Sequence, residues 1–67
     1  MQLTINGKFR DFQESSLSVA ELVNVLTLTG KRIAIELNGE IVPRSQFETI
    51  QLMDGDKLEI VGAVGGG

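Results

Sequence analysis

Apolar and polar residues alternate along "QLTIN" (2–6), with Leu3 and Ile5 set between Gln2 and Thr4. This period of two predicts a strand buried on one face. Asn6-Gly7 follows as a hairpin signal, because both central positions of a type I′ turn need positive φ. "KFRDF" alternates again, with Phe9 and Asp11 on one face, and Phe12 breaks the pattern as a bulge or a strand end. The period then changes. Val19, Leu22, Val23 and Leu26 recur at i, i+3, i+4 and i+7, so one apolar stripe runs along a helix. Ser18 with Glu21 three positions on reads as a capping box, flanked by Leu17 and Leu22 at staple positions. Gly30 is placed to end the helix in a left-handed cap, which predicts about three turns.

Beyond Gly30, "RIAIELNGEIV" holds two apolar stretches around a second Asn-Gly turn at 38–39, with Ile33, Ile35 and Leu37 on one face. Pro43 lacks an N–H and stops the short strand before it. "RSQFETIQL" has no clean period; Phe47, Ile50 and Leu52 read as anchors of a connection with one helical turn. "MDGD" is a further turn, and "KLEIVGAV" a last strand with Leu58 and Ile60 inward, loosened in its second half by Gly62. A helix laid on one face of a mixed sheet buries one helical stripe and several one-sided strands, so the expected class is α+β. The order of elements is similar to the β-grasp fold of ubiquitin. The expected division is a domain over 1–64 and a glycine tail over 65–67.

Composition narrows the function. At 67 residues the chain has room for one core, with 42% hydrophobic residues and a stability on the order of 3–5 kcal/mol. It contains no Cys, His, Trp or Tyr, so it lacks thiolates, the commonest general base and metal ligand, and two of the stacking side chains of nucleic-acid binders. The expectation is therefore a protein that is not itself an enzyme. Net charge is −3, and the six Lys and Arg residues are dispersed along the sequence, which disfavours nucleic acid and suits a basic protein partner. No apolar run is long enough for a membrane span and no signal pattern opens the chain, so a cytoplasmic setting is expected.

Most candidate motifs reduce to local structure. "TGKR" (29–32) is similar to the end of a phosphate loop, but Val25 stands where the first glycine belongs and Arg32 where Ser or Thr belongs. Asp54 and Asp56 flank Gly55, a poor calcium site better read as turn chemistry. Ser15, Ser16, Ser18 and Ser45 have no His to activate them. Arg44 is expected to be exposed, as a solvated charge or a partner contact. Val42 and Val61 are candidates for an apolar patch on the sheet face away from the helix, and the sequence alone does not separate them from the core.

What remains is "VGAVGGG" (61–67). Glycines enter narrow channels, reach φ values closed to other residues and leave the carbonyl open on both sides. A carboxylate there is a poor electrophile until converted to a mixed anhydride, and this chain has no nucleotide site, so another enzyme would have to activate it.

With "ELNGEIVPRS" (36–45) and "DGDKLEIVGAVGGG" (54–67), the chain resembles the ThiS family, small sulfur carriers of thiamine biosynthesis, over essentially its whole length. The resemblance implies that the carboxylate of Gly67 is adenylated by an ATP-dependent, ubiquitin-activating-like adenylyltransferase and converted to a thiocarboxylate by a sulfur donor enzyme. The sulfur is then delivered to thiazole synthase. ATP serves the activating enzyme, and no cofactor is bound by the carrier. Gly66 carries over with Gly67 as the functional tail; Gly65 is an additional glycine that would join in tail recognition. Phe47 stands where relatives often have Trp. The small subunit of molybdopterin synthase looks similar and uses the same terminal chemistry, though its tail often carries a proline that is absent here. A ubiquitin-like modifier or an inert binding domain is the alternative of another class.

Overall fold

The computed structural model describes residues 1–62. The boundary at 64 and the glycines at 65, 66 and 67 lie outside the described residues. Strands β1 (Gln2–Ile5) and β2 (Lys8–Asp11) form the expected hairpin, pairing Gln2 with Asp11 and Ile5 with Lys8. Asn6 and Gly7 both have positive φ, as a type I′ turn demands. The chain crosses through β3 (Leu17–Ser18) into helix α1 (Val19–Val25). It then continues with β4 (Ile33–Leu37), β5 (Glu40–Ile41), a 3₁₀ turn (Arg44–Gln46), β6 (Gln51–Leu52) and β7 (Lys57–Gly62). The main sheet has the order β2-β1-β7-β4-β5, and β7 lies parallel to β1 and antiparallel to β4.

The periodicities place the core. Leu3, Ile5, Ile35, Leu58 and Ile60 face inward from the sheet and meet Val19, Leu22 and Val23 of α1. Phe47 and Leu52 close the end of this core as the expected anchors, with Ile50 half-buried beside them. Leu17 and Leu52 come together because β3 and β6 pair as a two-stranded ribbon. That ribbon has no legible period, since each strand contributes two residues.

The helix begins where its cap predicts. Ser18 Oγ accepts from the Glu21 N–H at 3.0 Å, and Glu21 Oε1 accepts from the Ser18 N–H at 2.7 Å. Ser18→Ala removes the cap and should lower stability by about 1 kcal/mol in chemical denaturation.

The other end departs from expectation. The helix spans seven residues, about two turns, and stops at Leu26 instead of running on to Gly30. The Leu28 N–H reaches back to Val23 O at 2.9 Å and the Thr27 N–H to Asn24 O at 3.0 Å, a Schellman closure with Thr27 at φ 58°. A β-branched residue in the left-handed position is unusual, so the glycine drew the expected cap three residues too far. Half-burial of Leu28 holds the closure in place. Gly30, at φ 84°, serves the next turn. Thr27→Gly relieves the left-handed strain and should raise stability by about 1 kcal/mol, measurable as a shift in denaturation midpoint.

The sheet face away from the helix carries Phe9, Ile41 and Val61, all exposed. Phe9 and Asp11 share this face, opposite Thr4 and Gln2. Val42, by contrast, is buried in the core and is not part of an outer patch, because its N–H bonds to Ile35 O and directs the chain end of β5 inward. Among the described residues no helix is long and apolar enough to cross a membrane.

Candidate functional site

In sequence the glycines at 65–67 follow β7, the central strand of the sheet, whose last described residue is Gly62. Leu58 and Ile60 are buried on its inner side, and it is hydrogen-bonded to β1 on one edge and β4 on the other. Both Asn-Gly turns reinforce it. Asn38, at φ 50°, accepts from the Lys57 N–H at 3.0 Å through Oδ1, donates its backbone N–H to Lys57 O at 2.8 Å, and donates from Nδ2 to Asp56 Oδ1 at 3.0 Å. At the other end Asn6 Oδ1 accepts from the Ile60 N–H at 2.7 Å and Nδ2 donates to Ile60 O at 3.0 Å.

The Asn6 amide therefore continues the ladder at the point where the β1 backbone turns away into the hairpin. A side-chain amide carries one acceptor and two donors, the same pair of functions as a peptide group. Asparagine also tolerates the left-handed conformation that the turn imposes. The sequence signal at both sites was the Asn-Gly pair, which shows the turn but not the strand its side chain would reach. Asn6→Ala loses both bonds and the left-handed tolerance together, and should lower stability by about 2 kcal/mol in denaturation. Amide exchange at Ile60 should accelerate at the same time, because its N–H loses its acceptor.

The remaining sequence candidates are absorbed by structure. Asp56 Oδ2 accepts from the Met53 N–H at 2.8 Å and Asp54 Oδ1 from the Gln2 N–H at 2.6 Å, so the two carboxylates shape the turn before β7. No cluster of metal-ligating side chains occurs among the described residues. Ser16 Oγ donates to Gln51 Oε1 at 2.9 Å, and Ser18 is the helix cap. Arg44 is exposed, but its Nη2 donates to Lys31 O at 3.2 Å and its guanidinium lies 6.0 Å from the Phe47 ring centre. It thereby ties the 3₁₀ turn to the loop after α1. Gly65, Gly66 and Gly67 lie outside the described residues; Gly62 is the last described position of the strand that leads to them.

A five-stranded mixed sheet packed on one helix, with its central strand running into a glycine-rich end, defines a ubiquitin-like β-grasp domain. A solved structure with this fold, the crystal structure of a thiamine biosynthesis protein (ThiS) from Geobacter metallireducens, superposes with a TM-score of 0.89 at 38% identity, covering 100% of both chains. The chain belongs to the ThiS family, whose model matches residues 3–67. It is 32% identical to the sulfur carrier protein ThiS of Bacillus subtilis over 97% of this chain and 98% of that one. It is also 45% identical, over its full 67 residues, to part of a thiazole synthase of Paramagnetospirillum magneticum, and spans 20% of that protein's length.

Proposed function

We propose that the chain is a sulfur carrier of thiamine biosynthesis, with the Gly67 carboxylate as the group that bears the sulfur. The observation that carries this reading is the match to the ThiS family, which extends through Gly67 itself. In the reaction an oxygen of the Gly67 carboxylate attacks the α-phosphorus of ATP and pyrophosphate leaves. Sulfur at the oxidation level of sulfide, supplied by a donor enzyme, then adds to the acyl carbon. AMP departs, and the product is a thiocarboxylate. The ATP belongs to a ubiquitin-activating-like adenylyltransferase, and the carrier is the protein co-substrate.

The division of labour follows from what the domain contains. It has no His or Cys to perform the chemistry, and its central strand is clamped at both ends by the Asn38 and Asn6 amides. A rigid base under a tail of small residues lets a partner bind the domain by its surface and receive the carboxylate in a narrow channel, where glycine gives no steric opposition. The segment similarity to a thiazole synthase favours thiazole over a pterin as the destination of the sulfur. Intact mass after incubation with the adenylyltransferase, ATP and a sulfur donor tests the proposal. Exchange of one oxygen for sulfur, localised to Gly67 by fragmentation, is expected, and an unchanged mass would overturn it.

A further inference from the structure

The fold gathers cations that are scattered in the sequence. An open cleft of about 410 Å³ lies beside the end of β7, and Gly62 is part of its wall. Ile5, Leu28, Ile33 and Ile60 contribute an apolar floor, and Arg10, Lys31 and Arg32 stand around it. Three of the six basic residues of a chain with net charge −3 thus meet at one cleft, whose described lining contains no Asp or Glu. Arg10 comes from edge strand β2, opposite Leu3 and so on the core side of the sheet, while Lys31 comes from the loop after α1. Both are exposed, and among the described residues neither side chain has an acidic partner.

Arg10 and Lys31, exposed on the rim, can attract an anion supplied from outside, and the apolar floor adds burial of whatever accompanies it. The floor determines which anion. A bare phosphate would leave the aliphatic surface wet, whereas a peptide segment that alternates acidic and aliphatic side chains satisfies the rim and covers the floor together. We infer that this cleft is the docking site for an acidic, aliphatic segment of the enzyme that receives the tail. Because Gly62 borders the cleft, a segment seated there lies beside the last described residue of β7.

The inference rests on the carrier reading, and two measurements separate the fate of each. In the sulfur-loading assay with the source organism's adenylyltransferase, Arg10→Glu and Lys31→Glu should each raise KM for the carrier roughly tenfold or more with kcat nearly unchanged. Lys57→Glu makes the same change in net charge at the far end of β7 and should leave KM within about twofold. Equal effects from all three variants, or no effect from the first two, would overturn the inference while wild-type loading kept the carrier reading intact.

Independently of any enzyme, amide chemical shifts can be followed by NMR as the full chain is titrated with the capped peptide Leu-Asp-Leu-Glu-Leu to about 5 mM. Shifts confined to Ile5, Arg10, Leu28, Ile33 and Ile60, and lost in Arg10→Glu, are expected. Absence of those shifts, or the same shifts from sodium phosphate at equal concentration, would show that the cleft is no peptide site.

Discussion

Deleting Gly67 is expected to abolish sulfur loading completely while leaving the denaturation midpoint of the domain unchanged. The two halves of this result have separate causes. Among the described residues the buried core runs from Leu3 to Ile60, and Gly67 lies seven positions beyond its last member. Under the proposed function, loading would require a terminal carboxylate of the correct reach, and a chain shortened by one residue would present its carboxylate about 3.5 Å short of the reacting phosphorus. Gly67→Ala retains that reach and adds only a methyl group. It should therefore separate the requirement for length from the requirement for a bare backbone, with loading reduced by about tenfold or more if the channel is fitted to glycine. Mass spectrometry of the loaded product reads both variants, and urea titration reads their stability. Loss of stability on deletion, or undiminished loading, would contradict the assignment of Gly67.

Leu58→Ala should unfold most of the population at physiological temperature. Leu58 has no exposed surface, stands second in the central strand and belongs to the buried core. Truncation of a buried leucine costs about 2–5 kcal/mol, from lost transfer free energy and the cavity left behind. A domain of this size has about 3–5 kcal/mol in total. There is no disulfide or described metal cluster to compensate. Circular dichroism at increasing temperature should show a lowered or absent transition, and sulfur loading should fall with the folded fraction. Val61→Ala, on the exposed side of the same strand, should be nearly neutral for stability, which makes the comparison a test of the inward and outward assignment.

Much of the fold was legible because it is written in short-range patterns. The alternation around Leu3 and Ile5, the Asn-Gly pairs and the Ser18–Glu21 box each encode a local conformation, and the structure realises all of them. Where local signals competed or were silent, the tertiary structure decided. Gly30 outweighed Thr27 as a helix stop because glycine is the cheaper left-handed residue, yet the burial of Leu28 made the earlier closure the better one. Val42 and Val61 are both β-branched residues near strand ends, and only the pairing of β5 with β4 and of β4 with β7 assigns one to the core and the other to solvent. The ribbon of β3 and β6 was invisible for the same reason: its partners are 35 residues apart at Leu17 and Leu52.

The sequence by itself determined most of the local elements, the lack of His and Cys and the run of glycines at 65–67, because each depends on residue type and near-neighbour spacing alone. The tertiary structure decided what those pieces face. It turned the side chains of Asn6 and Asn38 from turn residues into clamps on the central strand, which precedes the glycines in sequence. It also brought Arg10 together with Lys31 and Arg32, which the sequence presents as dispersed charge, around one apolar cleft beside Gly62. Such placements follow from strand order and register, which arise when distant segments bury a common core and which no short stretch of the chain encodes.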